Sequence, residues 1–227
     1  MHVSVVVSTY DRAERLATLE SVLAAWLGET PDVWLADGSG RFETRLPVRI
    51  VSSRPDAGNR LRHAVATLTN GEFVVKADDD VLPHPGFLDD LRAHAFAAGG
   101  ILGIIGRRFN GPRYHGDTVF FKASAVPRPT RVDFVGGVTC APRSLLPFDL
   151  LGCTNDVEDL FWQLGAFPSA TKTVIPTTRY ENLPDAHSDG ALYRRPATIE
   201  TRGAYYAEQF ARVCGGLPWD ARHPPRK

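Results

Sequence analysis

The sequence has 227 residues, of which 43% are hydrophobic and 23% charged, a composition typical of soluble globular proteins. Lysine and arginine together number 26, as do aspartate and glutamate, so no overall charge attracts nucleic acid or an anionic membrane. A chain of this length forms one large domain or two small ones.

The cysteines and the apolar stretches indicate the compartment. Cys140, Cys153 and Cys214 show no CxxC or Cys/His metal spacing, and we interpret them as free thiols in a reducing compartment. The first apolar run is short and is followed by Asp11, so we expect no signal peptide. Residues 95–106 are too short and too rich in glycine to span a bilayer. We therefore expect a cytoplasmic protein without an integral membrane segment, and peripheral membrane attachment is left open.

Strand and helix signals alternate over the first 80 residues. Residues 3–8 form a continuous apolar run, as in a parallel sheet that is covered on both faces. Asp11 to Glu14 matches a capping box, and apolar residues follow at helical spacing until Pro31. The remaining predicted elements are strands over residues 32–36, 48–51 and 73–77 and a helix over residues 59–68. The alternation predicts an α/β fold with a parallel sheet and right-handed crossovers.

An acidic triplet ends the last of these strands. In extended backbone Asp78 and Asp80 share one face and Asp79 lies on the other. Two carboxylates on one face repel unless a cation lies between them, and Mg²⁺ or Mn²⁺ accepts such oxygens while leaving positions for phosphate. The alternative is an acidic, solvated turn. An EF-hand loop does not fit, because Leu82 and Pro83 stand where it needs an oxygen ligand and a glycine.

Three predicted loops follow strands, at residues 8–12, 37–40 and 78–83. Parallel α/β sheets bind ligands outside the carboxyl ends of their strands. The convergence of these loops favours a ligand site over the solvated turn.

The second half of the chain is less regular. Gly136-Gly137 indicates a tight turn or a close backbone approach. Residues 107–130 contain strand-like pieces among glycines and prolines, and residues 215–227 form a frayed or surface-draped tail. The other predicted elements are a helix over residues 85–98, strands over 101–105 and 132–135, a helical turn over 142–146, a helix from a capping box at 155–158 through Trp162 and Leu164, a strand over 172–175, an irregular polar loop over 181–196 and an amphipathic helix over 198–213.

Five motifs occur in a fixed order: Ser4 to Arg12, Asp37-Gly38-Ser39, Asn59-Arg60, Ala77 to Val81 and Glu158-Asp159. This order resembles glycosyltransferases of the GT-A fold, in particular family two glycosyltransferases and the exostosin-like catalytic domain. The resemblance spans residues 3–165. It implies a single α/β domain of GT-A, Rossmann-like type over residues 1–214, with a mixed, mainly parallel sheet flanked by helices. The donor half would cover about residues 1–106 and the acceptor half about residues 107–214.

The resemblance also implies a nucleotide-sugar donor that lies across the strand ends. Tyr10 would stack on a pyrimidine base, and Asp37 would pair with a uracil imide NH. The family often carries a second acidic residue at the position of Ala36. Arg62 is an alternative nucleotide contact. The residues that match donor-binding positions are Ser8, Thr9, Tyr10, Arg12, Asp37, Asn59, Arg60, Asp78, Asp79 and Gly137.

The acidic triplet corresponds to the DxD motif of the family, which implies Mn²⁺ or Mg²⁺ as cofactor. Asp80 would be the direct metal ligand, and Asp78 would face the ribose or the waters of the metal. His187 is a candidate further ligand, with a surface histidine as the alternative. Arg194 and Arg195 either clamp the diphosphate or are solvated.

Glu158-Asp159 matches the acidic pair on the acceptor side of the family. In an inverting enzyme Asp159 would take the proton of the acceptor hydroxyl. Glu158 has a structural alternative, because its spacing from Asn155 suits helix capping, and Asp156 is an alternative base. Exostosin-like enzymes retain the anomeric configuration whereas family two enzymes invert it, so the stereochemistry stays open.

We therefore predict a metal-dependent glycosyltransferase, a hexosyl- or N-acetylhexosaminyl-transferase. It would move a sugar from a UDP-linked donor to a hydroxyl of a glycan, lipid-linked or small-molecule acceptor, with no nucleic-acid partner. One alternative is a non-catalytic module that binds a sugar nucleotide or a glycan. Another is a sugar-phosphate nucleotidyltransferase, which residues 8–12 disfavour because they lack the glycines of its phosphate loop. Residues 107–130 match neither family, and we expect acceptor specificity there.

Overall fold

The computed structural model describes residues 2–10, 13–53, 58, 60–114, 116–146, 157–183 and 196–223. The strands in these ranges are β1 (Val3–Thr9), β2 (Val33–Asp37), β3 (Arg49–Ser52), β4 (Phe73–Asp78), β5 (Val81–Pro83), β6 (Ile101–Phe109), β7 (Thr118–Lys122), β8 (Thr130–Val132), β9 (Phe134–Pro142), β10 (Lys172–Val174) and β11 (Tyr180–Asn182). The helices are α1 (Ala13–Glu29), α2 (Arg60–Leu68), α3 (Phe87–Ala98), α4 (Glu158–Leu160), α5 (Pro196–Cys214) and α6 (Trp219–Arg222), with a 3₁₀ turn at Arg143–Leu145 and a π-helical segment at Phe161–Ala166.

The main sheet has the strand order β3-β2-β1-β4-β9-β6-β10-β8, and β7 pairs with β6. Strands β1 to β4 are parallel, whereas β9 is antiparallel to both of its neighbours and β10 is parallel to β6. Six of the nine described strands of this sheet therefore point the same way, namely β1, β2, β3, β4, β6 and β10. The predicted mixed, mainly parallel α/β sheet is confirmed.

Strand β1 is buried on both faces, as its continuous apolar run predicts. Val5 and Val7 pack in one cluster with the α1 residues Leu23 and Trp26, while Val6 packs in another cluster with α2. Because successive strand residues point to opposite faces, one strand anchors a helix on each side of the sheet. This packing fixes the carboxyl ends of β1, β2 and β4 along one edge.

The second half closes over the sheet through α5. Tyr206 of α5 is fully buried, and its hydroxyl donates a 2.6 Å hydrogen bond to the carbonyl of Gly111. Its ring makes edge contacts with Phe109 and Tyr114, at centroid distances of 4.6 and 5.4 Å. Helix α5 is thereby held against the residues that follow β6.

The predicted strand over residues 101–105 continues to Phe109 and forms a hairpin with β7. The sequence pattern blurs there because Arg107 and Arg108 are partly exposed and interrupt the apolar run. Residues 107–130 thus contain an ordered hairpin, which the sequence indicated only as strand-like pieces.

Gly136 and Gly137 lie inside β9, so the predicted tight turn is wrong. Between β6 and β9 the pairing passes from Gly103–Thr139 to Ile105–Gly136, which leaves one extra residue on β9. Gly137 has φ of 72°, a conformation that favours glycine, and such a residue is typical of a β-bulge. The two glycines bend a strand and do not end it.

The predicted helix through Trp162 and Leu164 is present, but it begins at Glu158 and is π-helical from Phe161 to Ala166. Helix α4 begins after Val157, which caps it without a side-chain hydrogen bond, and passes directly into the π-helical segment. Within that segment the N–H of Phe167 donates to the carbonyl of Trp162, five residues earlier. The carboxylate of Glu158 pairs with an arginine, a stronger interaction than a neutral cap.

The ends of two predicted irregular segments are ordered. The polar loop expected at residues 181–196 begins as β11, which pairs with β5 beside the acidic triplet. The expected tail contains α6, whose Trp219 is buried and whose Arg222 pairs with Asp133 at 2.8 Å. Among the helices of the described ranges, none has the length and apolar composition needed to cross a membrane.

Candidate active site

The ends of β1, β2 and β4 bring three of the predicted loops together. Thr9 is paired with Asp37 across β1 and β2, and Ser8 is paired with Asp78 across β1 and β4. The predicted convergence of polar residues at one edge of the sheet is therefore present.

Arg62 of α2 links two carboxylates at this edge. Its Nη1 lies 2.8 Å from Oδ1 of Asp78, and its Nη2 lies 2.7 Å from Oε1 of Glu158. The side chain of Asp78 is 42% exposed, whereas that of Glu158 is 0% exposed. Burial opposes the charge of Arg62, but the two carboxylates together raise its pKa, so it stays a cation. One guanidinium thus joins the edge of the sheet to α4.

Two buried side chains that interact electrostatically with Arg62 each carry a polar atom that no hydrogen bond within the described ranges satisfies. Within the described part of the chain, Tyr10 Oη and Glu158 Oε2 are buried without a hydrogen-bond partner. Burial raises the pKa of Tyr10 well above its usual value, partly offset by Arg62. Burial and the neighbouring Asp159 raise the pKa of Glu158 to about 7. Because unsatisfied buried polar groups are costly, such groups at a strand edge are expected where a ligand or water binds.

Asp159 faces a second arginine. Its carboxylate lies 3.1 Å from Nη2 of Arg202 on α5, and its side chain is 18% exposed. The same Nη2 donates to the hydroxyl of Tyr114 at 3.3 Å. Burial alone would raise the pKa of Asp159, but Arg202 and Arg62 together lower it, so this carboxylate is ionised at neutral pH. Asp159 is therefore the more accessible of the two acidic neighbours in α4.

The carboxylate of Asp37 accepts hydrogen bonds from the loop that follows β2 and from Ser52 of β3. Its Oδ1 accepts from the N–H and the hydroxyl of Ser39 at 2.9 and 2.5 Å, and its Oδ2 accepts from Phe42 N and Ser52 Oγ at 3.3 and 3.2 Å. The residue is fully buried. The predicted contact with uracil stays a prediction, and the observed bonds shape the loop.

The acidic triplet lies at the end of β4 and in the turn that follows it, and its three carboxylates differ in burial. Asp79 is buried and accepts a 2.7 Å hydrogen bond from Thr9 Oγ1, whereas Asp78 and Asp80 are partly exposed. Ser8 is also buried, and its hydroxyl donates to the carbonyl of Ala77 at 3.4 Å. Asp79, Ser8 and Thr9 therefore hold β1 and β4 in register, and their predicted donor contacts remain predictions.

Sequence comparison finds neither a matching family model nor a matching curated protein. Structural comparison does find matches, among them S. aureus TarS residues 1–349, a GT-A-type glycosyltransferase. The two structures align with a TM-score of 0.56 at 16% sequence identity, over 93% of this chain and 72% of TarS. The chain has a glycosyltransferase fold. At this identity the likeness concerns the fold alone.

The acidic triplet is the predicted place of a divalent cation, and that cation stays a prediction. Asp78 and Asp80 place two partly exposed carboxylates at the ends of β4 and β5. Mg²⁺ is commonly held by one or two carboxylates together with substrate phosphates, so these residues fit a metal that arrives with a nucleotide. Among the described residues, no group of three or more His, Cys, Asp or Glu side chains is arranged to hold a metal ion.

Several predicted site residues lie outside the described residues: Arg12, Asn59, Asn155, Asp156, His187, Arg194 and Arg195. Leu183, four positions before His187 in sequence, donates its N–H to the carbonyl of Asp80 at 2.7 Å. Arg60 lies partly buried at the start of α2. Gly137 packs against Ile104 within the sheet, since a Cβ added there would meet its Cγ1 at 3.0 Å.

Sequence reasoning missed two features of the site. Arg202 gave no signal beyond its place on the predicted helix over residues 198–213. Lys76 could have been found, because it precedes Asp78 by two residues and so shares its face of β4. Lys76 is buried, with Nζ 3.2 Å from Nδ1 of His63 and 2.9 Å from the ring centre of Trp162. Burial lowers the pKa of both Lys76 and His63, and Arg62 adds to the shift, so this pair carries less charge than two solvated bases.

Proposed function

We propose that this protein is a glycosyltransferase that moves a sugar from a UDP-linked donor to the hydroxyl of an acceptor, with the help of a divalent cation. The observation that supports this best is at the sheet edge of a glycosyltransferase fold, where Tyr10 Oη and Glu158 Oε2 have no hydrogen-bond partner among the described residues and Arg62 pairs with the partly exposed Asp78. If this edge served only to hold the fold together, we would expect these atoms to form hydrogen bonds within the protein.

On the donor side, the cationic fork of Arg62 is the group suited to a diphosphate. It is buried, permanently charged and pre-oriented by Glu158, so little freedom is lost when it binds phosphate oxygens. Asp78, its second partner, is the exposed member of the pair and can give way to the ligand. Tyr10, at the end of β1, offers a hydroxyl and a ring to the nucleotide.

Asp80 and Asp78 would hold Mn²⁺ or Mg²⁺. When bound there, the metal would supply Lewis-acid stabilisation of the charge on the departing nucleotide.

On the acceptor side, Asp159 is the proposed base. In an inverting displacement, the acceptor hydroxyl gives its proton to the Asp159 carboxylate while its oxygen bonds to the anomeric carbon. The bond between that carbon and the diphosphate breaks, and the nucleoside diphosphate leaves with the electron pair. Arg202 keeps Asp159 ionised and ready to accept the proton, and Glu158 acts through Arg62 as a positioning residue.

The first test is binding. Unfolding temperature is measured with UDP, GDP, CMP and TDP, each with and without Mn²⁺. A ligand at 100 times its Kd stabilises the folded state by about 2.7 kcal/mol, which such a measurement detects. We expect UDP with Mn²⁺ to give the largest rise, and absence of a rise with any nucleotide contradicts the proposal.

The second test is turnover. Release of UDP from a panel of UDP-sugars is compared for the wild type, Asp80→Asn and Asp159→Asn. We expect each variant to lose at least about 100-fold in turnover, with UDP affinity reduced in Asp80→Asn and retained in Asp159→Asn. The matched control is Asp89→Asn, an exposed carboxylate of α3 that pairs with Arg92. Wild-type protein that binds UDP without turning over any donor is instead a non-catalytic binding module.

A further inference from the structure

Positive charge is concentrated in one segment of a chain whose formal net charge is zero. Residues 107–131 contain six arginines and lysines and one acidic residue, Asp117. Asp117 is already paired with Arg113 at 2.8 Å. The other basic residues of the segment are Arg107, Arg108, Lys122, Arg128 and Arg131. A local positive field of this kind selects anionic partners even where the whole protein is neutral.

The β6–β7 hairpin arranges part of this charge on one face. Arg107 is directly paired with Phe120 across the two strands, and Lys122 follows Phe120 by two residues, which places its side chain on the same face. The Arg107 guanidinium lies 5.3 Å from the Phe120 ring centre, and Lys122 Nζ lies 6.0 Å from it. Phe120 is 44% exposed. The hairpin therefore presents an aromatic ring between two cations to solvent.

These residues connect to the proposed base by a continuous row of contacts. Arg107 also lies over the ring of Tyr114, at 4.7 Å, and Tyr114 accepts a hydrogen bond from Arg202. Arg202 in turn pairs with Asp159. We call the row Arg202, Tyr114, Arg107, Phe120 and Lys122 the cation–aromatic track. It begins at Asp159 and ends at the exposed edge strand β7.

Packing alone accounts poorly for the outer part of the track. Exposed cation–π contacts contribute little to stability, and a large apolar ring left in solvent is not required by the hairpin. Aromatic faces suit the apolar faces of sugar rings, and arginine and lysine suit carboxylate or phosphate groups. The alternation along the track matches a chain in which sugar rings alternate with anionic substituents.

We propose that the cation–aromatic track binds the acceptor, and that the acceptor is a glycan bearing carboxylate or phosphate groups. The inference rests on the proposed function, since it takes Asp159 as the place where the acceptor hydroxyl reacts. Phe120, the exposed ring of the track, contacts a sugar ring, while Arg107 and Lys122 pair with the anionic groups next to it.

The test uses three forms of one oligosaccharide: neutral maltohexaose, maltohexaose oxidised to carboxylates at its 6-positions, and maltohexaose phosphorylated at those positions. Binding to the wild type is measured by calorimetry at low and moderate salt. We expect at least one anionic form to bind at least tenfold more tightly than the neutral form, with affinity that falls as salt rises. Comparison of the carboxylated and the phosphorylated oligosaccharide shows which anionic group the surface prefers.

Variants then test the contribution of the two cations and that of the Phe120 ring separately. Arg107→Gln/Lys122→Gln should remove most of the preference for the anionic form, and Phe120→Ser should weaken the binding of that form by about tenfold. The charge-conserving Arg107→Lys/Lys122→Arg variant should retain much of the preference, and Arg92→Gln on α3 should match the wild type. In all four variants the stabilisation by UDP with Mn²⁺ should equal that of the wild type.

The outcomes are distinguishable. UDP binding without any preference for an anionic form overturns this inference and leaves the proposed function intact. An unchanged preference in the double glutamine variant also overturns it. Binding of phosphatidylglycerol vesicles through the same residues, with none of the oligosaccharides bound, assigns the surface to a membrane and overturns the acceptor role. Failure of UDP to bind refutes the proposed function itself.

Discussion

Arg62 and Glu158 meet across 96 positions of the chain, with Nη2 of the arginine 2.7 Å from Oε1 of the glutamate. The contact joins α2, which packs on the parallel half of the sheet, to α4 in the second half. Glu158 is fully buried and the side chain of Arg62 is 12% exposed. An ion pair so placed fixes the two walls of the proposed cleft relative to each other.

Removing one partner of this pair should be costly. Arg62→Met leaves a buried carboxylate without its cation, and we expect a loss of about 3–5 kcal/mol in the free energy of unfolding, measured by urea denaturation. Arg62→Met/Glu158→Gln should lose clearly less than the sum of the two single variants, since neither charge is then stranded. Additive losses would show that the two side chains are not coupled.

Glu158 should make stability depend on pH. Its pKa in the folded protein is raised to about 7 by burial and by Asp159, above that of the unfolded chain. Its stabilising contribution is therefore complete below the unfolded value and is lost as pH rises through about 7. Between pH 5 and pH 7.5 the wild type should lose about 2 kcal/mol relative to Glu158→Gln, because one pKa unit corresponds to about 1.4 kcal/mol. Urea denaturation at both pH values measures this.

The Glu200→Gln variant of α5 serves as the control for that comparison, because it replaces an exposed carboxylate instead of a buried one. A wild type that gains stability over the same interval relative to Glu158→Gln contradicts the assignment.

Elements that depend on interactions between neighbours in sequence could be predicted, whereas contacts between distant parts of the chain could not. The predicted helices and strands up to residue 98 follow from local signals, such as the apolar run of β1 and the helical spacing that ends at Pro31, and they are present apart from small shifts at their ends. Strand β5 was not predicted, because its three residues lie in the segment 78–83 that the sequence indicates as a loop. The end of β4 at the acidic triplet also follows from local signals, because aspartate is a poor strand former.

The pairing of Asp159 with Arg202 could not be predicted, because it depends on how α5 folds back over α4. The same holds for Arg62, which lies on a short helix with several basic neighbours in sequence. The bulge at Gly137 could not be predicted either, because a pair of glycines is typical of both turns and bulges. Only the pairing of β9 with β6 distinguishes the two.

Tyr10 carries a hydroxyl that costs stability in the absence of a ligand. Tyr10→Phe removes a buried group without a partner among the described residues, so the free energy of unfolding should stay equal or rise by about 1 kcal/mol. If the hydroxyl serves the donor, the same variant should show a smaller stabilisation by UDP with Mn²⁺. Thermal unfolding with and without the nucleotide measures both effects. A stability loss above about 1 kcal/mol would mean that the hydroxyl has a structural partner.

We expect Asp37 to stabilise the fold mainly through the hydrogen bonds that its carboxylate accepts. Asp37→Ala leaves two backbone N–H groups and two hydroxyls without their acceptor, and we expect a loss of about 2–4 kcal/mol in urea denaturation. Asp37→Asn keeps one carbonyl oxygen and should lose less. Asp89→Ala, on the exposed surface of α3, should change stability by less than about 0.5 kcal/mol. A loss in Asp37→Ala as small as that of the Asp89 control refutes the structural role.

Gly137 provides a test of the bulge that bends β9. Its φ of 72° is strained for any residue with a Cβ, and a Cβ there would meet Cγ1 of Ile104 at 3.0 Å. Gly137→Ala should therefore lower the free energy of unfolding by about 1–3 kcal/mol. Gly136→Ala is the matched neighbour, because its Cβ would meet the Phe134 ring at 3.5 Å, an ordinary contact. We expect a clearly smaller loss there, measured by urea denaturation of both variants. Equal losses would indicate that the strand tolerates neither side chain for reasons other than the backbone conformation of Gly137.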